Sequence, residues 1–325
     1  MSEKDDAWRK FLGHEKIVAG LLELAAGQGP GKFRRLSLKR TDTRELRFVA
    51  DGRRGEKVVK RERDGCWRMS WQLPDGQQAS AILGVEVQTE MDPVMPVRVA
   101  MEDAINYSNQ AEAETERARG ERERSRRQGR GKARGSFLYP ALPPKPLEMV
   151  ATLVIYTGKR HWSACRSLRG MVKVHPPFTA KDVPGFQFRL LDLRRVPEKM
   201  LVSCEKNSRS VIKYLKAHDD KEALRELLKS DRDFRRILVD TARVIQAVTG
   251  AKFKIPKNKE VMDMCKAERE LCREAAKIAE ARGKKAGITV YVARLMRLGV
   301  SKENIAKALA EDYSLPLAEA LAHLP

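Results

Sequence analysis

Two carboxylates and one amide, Asp64, Glu86 and Gln88, are the side chains whose types and spacing best suit chemistry. Glu86 and Gln88 lie two positions apart in residues 82–89, whose apolar pattern predicts a strand, so both side chains project from one face. Asp64 precedes Glu86 by 21 intervening residues, enough for a hairpin to return it beside Glu86. Two carboxylates converging at a sheet end form a hard oxygen site suited to Mg²⁺, with Mn²⁺ as an alternative.

The chemistry that such a site predicts is hydrolysis of a phosphodiester bond. A bound cation would acidify a water molecule and neutralise the charge that grows on the scissile phosphate. Gln88 carries no charge, but its amide could orient that water through hydrogen bonds. The spacing alone is not specific, because Glu-x-Gln on a strand equally fits a solvated polar face.

Turn signals and apolar periodicity predict the elements that position these residues. Residues 66–71 partly alternate, Pro74-Asp75-Gly76 marks a turn, and residues 82–89 form the returning strand. The apolar run 149–156 predicts a strand buried on both faces, and together with the helices it indicates an α/β fold, a mixed sheet flanked by helices. Residues 95–110 have a helical pattern with an inward apolar stripe: Val97, Met101, Ala104, Ile105 and Tyr107.

The length of 325 residues allows one large domain with appendages, or two domains. We predict an α/β core over residues 1–206 and an all-helical C-terminal extension over residues 207–325. Within the core, residues 111–135 form a charged insertion that leans towards disorder, although its first half could prolong the preceding helix. Its basic, glycine-interrupted second half is either an arm that grips DNA or a solvated loop.

Composition indicates the partner and the compartment. The formal net charge of +21 favours a polyanionic partner, most simply nucleic acid, although a merely soluble basic protein stays open. Five scattered cysteines without a CxxC pair, and five dispersed histidines, do not form a zinc pattern and are typical of a reduced, cytoplasmic protein. The apolar runs are far shorter than the roughly 20 residues of a membrane span, and the N-terminal residues have no signal region.

Three segments resemble, in order, one protein family. Residues 82–110 are similar to a block in which a Glu-x-Gln strand is followed by Asp, Met-Pro-x-Arg and a Tyr-containing helix. Residues 149–171 resemble a buried strand that ends in Tyr-x-Gly and is followed by Trp, and residues 183–193 resemble a short aromatic strand with a Leu-Asp ending. The family is the recombination-promoting nucleases, also called putative transposases, of the PD-(D/E)XK superfamily. The resemblance covers residues from about 60 to 218.

This resemblance implies a restriction-endonuclease-like fold and a Mg²⁺-dependent DNA endonuclease associated with recombination or mobile elements. It implies Asp64, Glu86 and the Val87 carbonyl as metal ligands, and Gln88 at the position where typical superfamily members keep Lys. The usual sequence of this strand in the family is Glu-His-Gln-Ser, whereas this chain has Glu86-Val87-Gln88-Thr89. Val87 is compatible with the site because only its backbone carbonyl would reach the metal.

Basic residues near the acids are candidates for contact with DNA phosphates. Arg98 matches the family's Arg, as Tyr107 matches its Tyr, with a role in support or in substrate contact. Arg61 and Arg63 are added because they flank Glu62 just before Asp64.

Two other functions stay open. A catalytically inactive DNA-binding protein would use the basic arm and the C-terminal helices, whose turns at residues 299–301 and 314–316 give helix–turn–helix-like spacing. The last helix, however, is poor in the residue types that read bases, which favours packing or a homodimer through the C-terminal helices. In the second alternative the chain is an interaction protein whose C-terminal helices pair protomers.

Overall fold

The structure is a computed structural model that describes residues 3–27, 37–41, 44–51, 55–73, 75–127, 145–202 and 204–324. The side chains of residues 44–62, 122, 125–127, 275, 276 and 279 lie outside this description. The chain divides into two compact units, of which the first takes residues 1–251 and 255–264 and the second takes residues 252–254 and 265–325.

The first unit contains helices and strands in alternation, and the second is helical. In chain order the elements are α1 (Glu3–Phe11), α2 (Glu15–Ala26), β1 (Ser37–Arg40), β2 (Arg44–Asp51), β3 (Gly55–Glu62), β4 (Gly65–Gln72), β5 (Gln78–Gln88), α3 (Met95–Arg127), β6 (Met149–Tyr156), β7 (Phe188–Asp192), α4 (Glu198–Leu201), α5 (Lys206–Ala217), α6 (Lys221–Ser230), β8 (Ile237–Leu238), α7 (Val239–Thr249), β9 (Val261–Met262), α8 (Met264–Arg297), α9 (Lys302–Asp312) and α10 (Leu317–Ala322).

A five-stranded mixed sheet in the order β1-β4-β5-β6-β7 forms the centre of the first unit. The β4–β5 hairpin is antiparallel, as its turn signal predicts, whereas β5, β6 and β7 run parallel to one another. Strand β6 is buried along most of its length, as its continuous apolar run predicts. The predicted mixed sheet with flanking helices is therefore confirmed.

Helix α3 covers one face of this sheet. Its residues Met95 and Val99 form a buried cluster with Val154 and Tyr156 of β6 and with Trp162. Val154 pairs with Glu86 across the β5–β6 ladder, so Glu86 lies on the face that α3 covers. This packing places the N-terminal turns of α3 over the carboxyl end of β5.

The inward face of α3 is not the predicted apolar stripe. Val97 and Met101 are 38% and 39% exposed, whereas Glu102 and Asp103 are 2% and 3% exposed. The prediction was wrong for Val97, Met101 and Ala104, which are exposed, and right for Ile105, which is buried. The two buried acids are matched by the Arg63 guanidinium from the start of β4, which hydrophobic periodicity does not detect.

Helix α3 continues to Arg127, so residues 111–127 of the predicted insertion are helical, and residues 128–135 lie outside the described residues.

In the second unit, the end of α8 packs with α9 and α10 around Ile288, Ile305 and Leu309. The Ser301 hydroxyl caps α9 by accepting a hydrogen bond from Asn304 N at 3.4 Å. The C-terminal helices are confirmed, but the region is not all-helical, because the short strands β8 and β9 pair within it. The boundary at residues 206/207 stays a prediction. Within the described ranges, none of the helices combines the length and apolarity needed to cross a bilayer.

Gly84 makes room for a buried arginine. A Cβ built at Gly84 would lie 1.4 Å from Arg63 Nη1 and 2.4 Å from Arg63 Cζ. Because the Arg63 side chain is 1% exposed and ion-paired, it could not move aside without leaving its partners. A side chain at position 84 is therefore incompatible with the Arg63 guanidinium in its present place.

We expect Gly84→Ala to lower the free energy of unfolding by about 3 kcal/mol or more, the cost of breaking a buried ion pair. Urea denaturation followed by circular dichroism measures the change. Gly120→Ala in α3 is the matched control, because a Cβ there meets nothing within 4 Å. This control should be neutral, or stabilising by up to about 1 kcal/mol. Equal stability of the two variants would contradict the conclusion that the Arg63 guanidinium needs a glycine at position 84.

Candidate functional site

Asp64 and Glu86 lie opposite each other at one end of the β4–β5 hairpin. Gly65, the first residue of β4, pairs with Val85, so the preceding Asp64 lies across from Glu86. Opposite side chains in an antiparallel pair share a face, with Cβ atoms about 5 Å apart. The Asp64 carboxylate is fixed there because its Oδ2 accepts a hydrogen bond from Val87 N at 2.8 Å. The two predicted acids are thus brought together.

The Glu86 carboxylate is buried and only partly matched. Its side chain is 3% exposed, and its Oε2 lies 3.2 Å from Arg98 Nη2. Its Oε1 is buried and has no hydrogen-bond partner among the described residues. A buried carboxylate oxygen without a donor is costly, so this atom calls for a proton, a water molecule or a cation.

The protein environment disfavours the ionised form of both acids. Burial raises the pKa of Glu86 well above its ordinary value, and the neighbouring Glu102 and Asp64 raise it further, against the opposing effect of Arg98 and Arg63. Burial also raises the pKa of Asp64, although its hydrogen bond from Val87 N lowers it. A positive ion between these carboxylates would reverse this effect.

Arg98 extends from the first turn of α3 to Glu86. Its Nη1 donates to Asp92 Oδ2 at 3.1 Å, and Asp92 Oδ1 in turn accepts from Val94 N at 3.0 Å. These contacts hold the guanidinium between Asp92 and Glu86. The Arg98 side chain is 33% exposed, so a phosphate could reach it from solvent.

Arg63 has a different position from the one predicted. Its side chain is 1% exposed; Nη1 donates to Thr152 Oγ1 at 2.9 Å and Nη2 to Asp103 Oδ1 at 2.8 Å. Its Nε lies 3.8 Å from Glu102 Oε2. A DNA phosphate cannot reach an enclosed guanidinium, so the expected phosphate contact is corrected to a positioning role. Arg63 links the start of β4 to α3 and β6.

Four further predicted residues differ in what the structure shows of them. Gln88 ends β5 on the same face as Glu86 and is half-exposed, while its backbone carbonyl accepts Thr157 N at 2.9 Å. The Val87 N–H faces Asp64, and its carbonyl lies on the same side of the strand. The side chain of Arg61, in β3, lies outside the described residues. Tyr107 supports the sheet, because its hydroxyl accepts Val150 N at 3.0 Å.

Sequence reasoning missed several residues of this site. Glu102 and Asp103 complete the buried charge cluster from α3, Thr152 contributes from β6, and Asp92 fixes Arg98. Helical spacing held a usable signal, since Glu102 follows Arg98 by four residues and Asp103 follows Val99 by four. The sequence held no signal for Thr152, because a Thr in an apolar strand is common.

The donor set fits a hard divalent ion better than a transition metal. Among the described residues no group of three His, Cys, Asp or Glu side chains could hold a metal ion. Mg²⁺ needs only one or two carboxylates and keeps several waters, so Asp64, Glu86 and the Val87 carbonyl suffice for it. The unmatched Glu86 Oε1 is the observation that favours such a ligand.

Comparison with known proteins finds a family match over part of the chain. Residues 142–236 match the family described as "Putative transposase, YhgA-like". Over these residues the chain is similar to the putative transposase family, and the resemblance predicted from sequence is confirmed there. The matched residues include β6, β7 and α4–α6, but not Asp64, Glu86 or Arg98. No curated protein and no solved structure matches the chain.

The raised pKa of Glu86 predicts a pH-dependent stability in the absence of divalent ions. An acid with a higher pKa in the folded chain keeps its proton there, so the free energy of unfolding falls as pH rises above the ordinary value of 4.5. Relative to Glu86→Gln, the wild type should lose about 1.4 kcal/mol per pH unit, until pH passes the folded-state pKa.

Urea denaturation in EDTA across this pH range measures the effect. Glu90→Gln is the control, because Glu90 lies just beyond β5 and is exposed, and its curve should parallel the wild type. Parallel curves for Glu86→Gln and the wild type would contradict the assignment.

Proposed function

We propose that this protein is a Mg²⁺-dependent DNA endonuclease with a restriction-endonuclease-like fold, acting in recombination or on mobile elements. The observation that carries the proposal is the buried, unmatched Glu86 Oε1, with Asp64 opposite it at the end of the sheet. The family match supports an association with mobile DNA, and the net charge of +21 supports a polyanionic substrate.

In this proposal Asp64, Glu86 and the Val87 carbonyl hold Mg²⁺ or Mn²⁺. When bound, the ion would lower the pKa of a water molecule and neutralise charge on the scissile phosphate. Gln88, on the same face as Glu86 and half-exposed, orients the attacking water through its amide. Because the Gln88 side chain is not a base, it cannot accept the proton of that water.

Arg98 and Arg63 have different roles in this proposal: Arg98 binds phosphate and Arg63 positions α3. Arg98 is partly exposed and contacts Glu86, so it can bind a phosphate oxygen next to the metal ligands. Arg63 is enclosed and holds Asp103 and Thr152, which keeps α3 and hence Arg98 over the end of β5. Loss of Arg98 should therefore impair substrate binding, whereas loss of Arg63 should impair the site through its geometry.

Purified protein with Mg²⁺ should nick supercoiled plasmid DNA. Asp64→Asn and Glu86→Gln keep the shape of each side chain but remove the charge that holds the cation. We expect each to reduce the nicking rate by about 100-fold or more, the scale on which losing one transition-state-stabilising group acts. Agarose-gel separation of supercoiled, nicked and linear plasmid measures the rate.

Glu90→Gln serves as the control and should nick at the wild-type rate, because Glu90 is exposed outside the buried cluster. Circular dichroism checks that each variant is folded. Undiminished nicking by either Asp64→Asn or Glu86→Gln would remove the assignment. Salt-sensitive DNA binding without cleavage in any divalent ion would favour a catalytically inactive DNA-binding protein. The structure does not support the homodimer expected through the C-terminal helices, and a cytoplasmic location stays a prediction.

A further inference from the structure

A long, ordered loop joins β6 to β7, and we call residues 159–187 the β6–β7 loop. Its two limbs are tied to each other, because Leu168 N donates to Phe186 O at 2.8 Å and Ser167 forms a β-bridge with Gln187. Loops of this length are uncommon in compact domains and usually have a function.

The β6–β7 loop is strongly basic. It contains six Lys and Arg residues and one acid, Asp182. That acid is used within the loop, because Asp182 Oδ2 accepts Thr179 N at 2.6 Å and Thr179 Oγ1 at 2.9 Å. The basic side chains at positions 166, 169, 173 and 181 are exposed. This charge fits a polyanion and disfavours an apolar protein groove as partner.

Phe178 is the one aromatic residue of the exposed class in the part of the chain that the structure describes, at 68% exposure. Its backbone is restrained on both sides. Pro176 and Pro177 precede it, its N–H donates to His175 O at 3.0 Å, and the Thr179–Asp182 capping box follows. A segment whose backbone is restrained in this way loses less conformational entropy when its side chain binds a partner.

An exposed ring on a basic loop fits unpaired nucleotides better than a duplex. In a duplex the faces of the bases are stacked on one another, whereas in a single strand each base offers a face to an aromatic side chain. Met171 and Val172, which are 38% and 44% exposed, add apolar surface to the same loop. The exposed Lys and Arg residues of the loop would neutralise the phosphates.

The loop starts at the same end of the sheet as the candidate site. Strand β6 runs parallel to β5, and Tyr156 pairs with Gln88, so both strands end beside each other. Ser163 N and Oγ donate to Met91 Sδ at 3.3 and 3.4 Å, and Met91 lies between Gln88 and Arg98 in the chain. The loop is thereby attached to the segment that connects the site residues.

We propose that the β6–β7 loop binds an unpaired strand of DNA, with Phe178 stacking on a base and the basic residues contacting phosphates. This rests on the proposed function only in taking DNA as the polymer. The candidate substrate is then DNA with single-stranded character, such as a bubble, a flap or an open end, rather than a fully paired duplex.

Fluorescence anisotropy of the full chain in EDTA tests the proposal, with labelled oligothymidylate and a duplex of equal length at fixed salt. Phe178→Ala should weaken oligothymidylate binding by about 5- to 100-fold, the range of alanine substitutions at base-stacking aromatics. Duplex binding should change less than about 2-fold, and Phe178→Trp should retain the affinity for the single strand. Val202→Ala is the control, because Val202 is 81% exposed outside the loop and should leave both affinities unchanged.

A Phe178→Ala variant that binds oligothymidylate like the wild type, or that loses duplex binding equally, would overturn the proposal. Tighter binding of oligouridylate than of oligothymidylate would overturn the assignment to DNA. Because binding is measured without a divalent ion, the test does not depend on cleavage. An inactive protein that needs Phe178 for single-strand binding would refute the proposed nuclease and keep this inference.

Discussion

The buried ion pair between Arg63 and Asp103 is the constraint on which the site depends. It joins the start of β4 to α3, and Thr152 of β6 bonds to both partners. A buried guanidinium is tolerated only where charges and hydrogen bonds match it. That requirement accounts for a glycine at position 84, whose missing side chain leaves the space, and for a hydroxyl within an apolar strand. It also fixes which face of α3 turns inward.

Next to this matched pair lies a cluster that is not fully matched. Asp64, just before β4, and Glu102 of α3 lie near Glu86, and Arg98 contacts only one of the Glu86 oxygens. Because carboxylates outnumber the positive charges around Glu86, a bound cation would stabilise this cluster. In the proposed function, the negative charge that would bind Mg²⁺ would also repel a phosphate, so the partly exposed Arg98 and the basic loop would be needed to attract the substrate.

Two separate lines of observation meet in this chain. The family match covers residues 142–236, which include β6 and the β6–β7 loop, while the acidic site lies upstream on β4, β5 and α3. The parallel pairing of β5 with β6 and the packing of α3 on β6 bring the two segments together. The segment that matches the family model therefore supplies neighbouring structure and a basic loop, and the segment outside the match supplies the candidate site.

The sequence by itself determined the β4–β5 hairpin, the buried strand β6, the helical C-terminal region and the pairing of Asp64 with Glu86, because turn residues and apolar periodicity are local signals. It did not determine the inward face of α3 or the enclosure of Arg63. Glu102 and Asp103 look like solvent-facing acids in sequence, and Arg63 looks like a phosphate contact. Arg63 is buried because its partners come from distant parts of the chain: Asp103 is 40 positions away and Thr152 is 89 positions away. Only the tertiary structure decided them, since a charge can be buried only where distant parts of the chain supply its counter-charge.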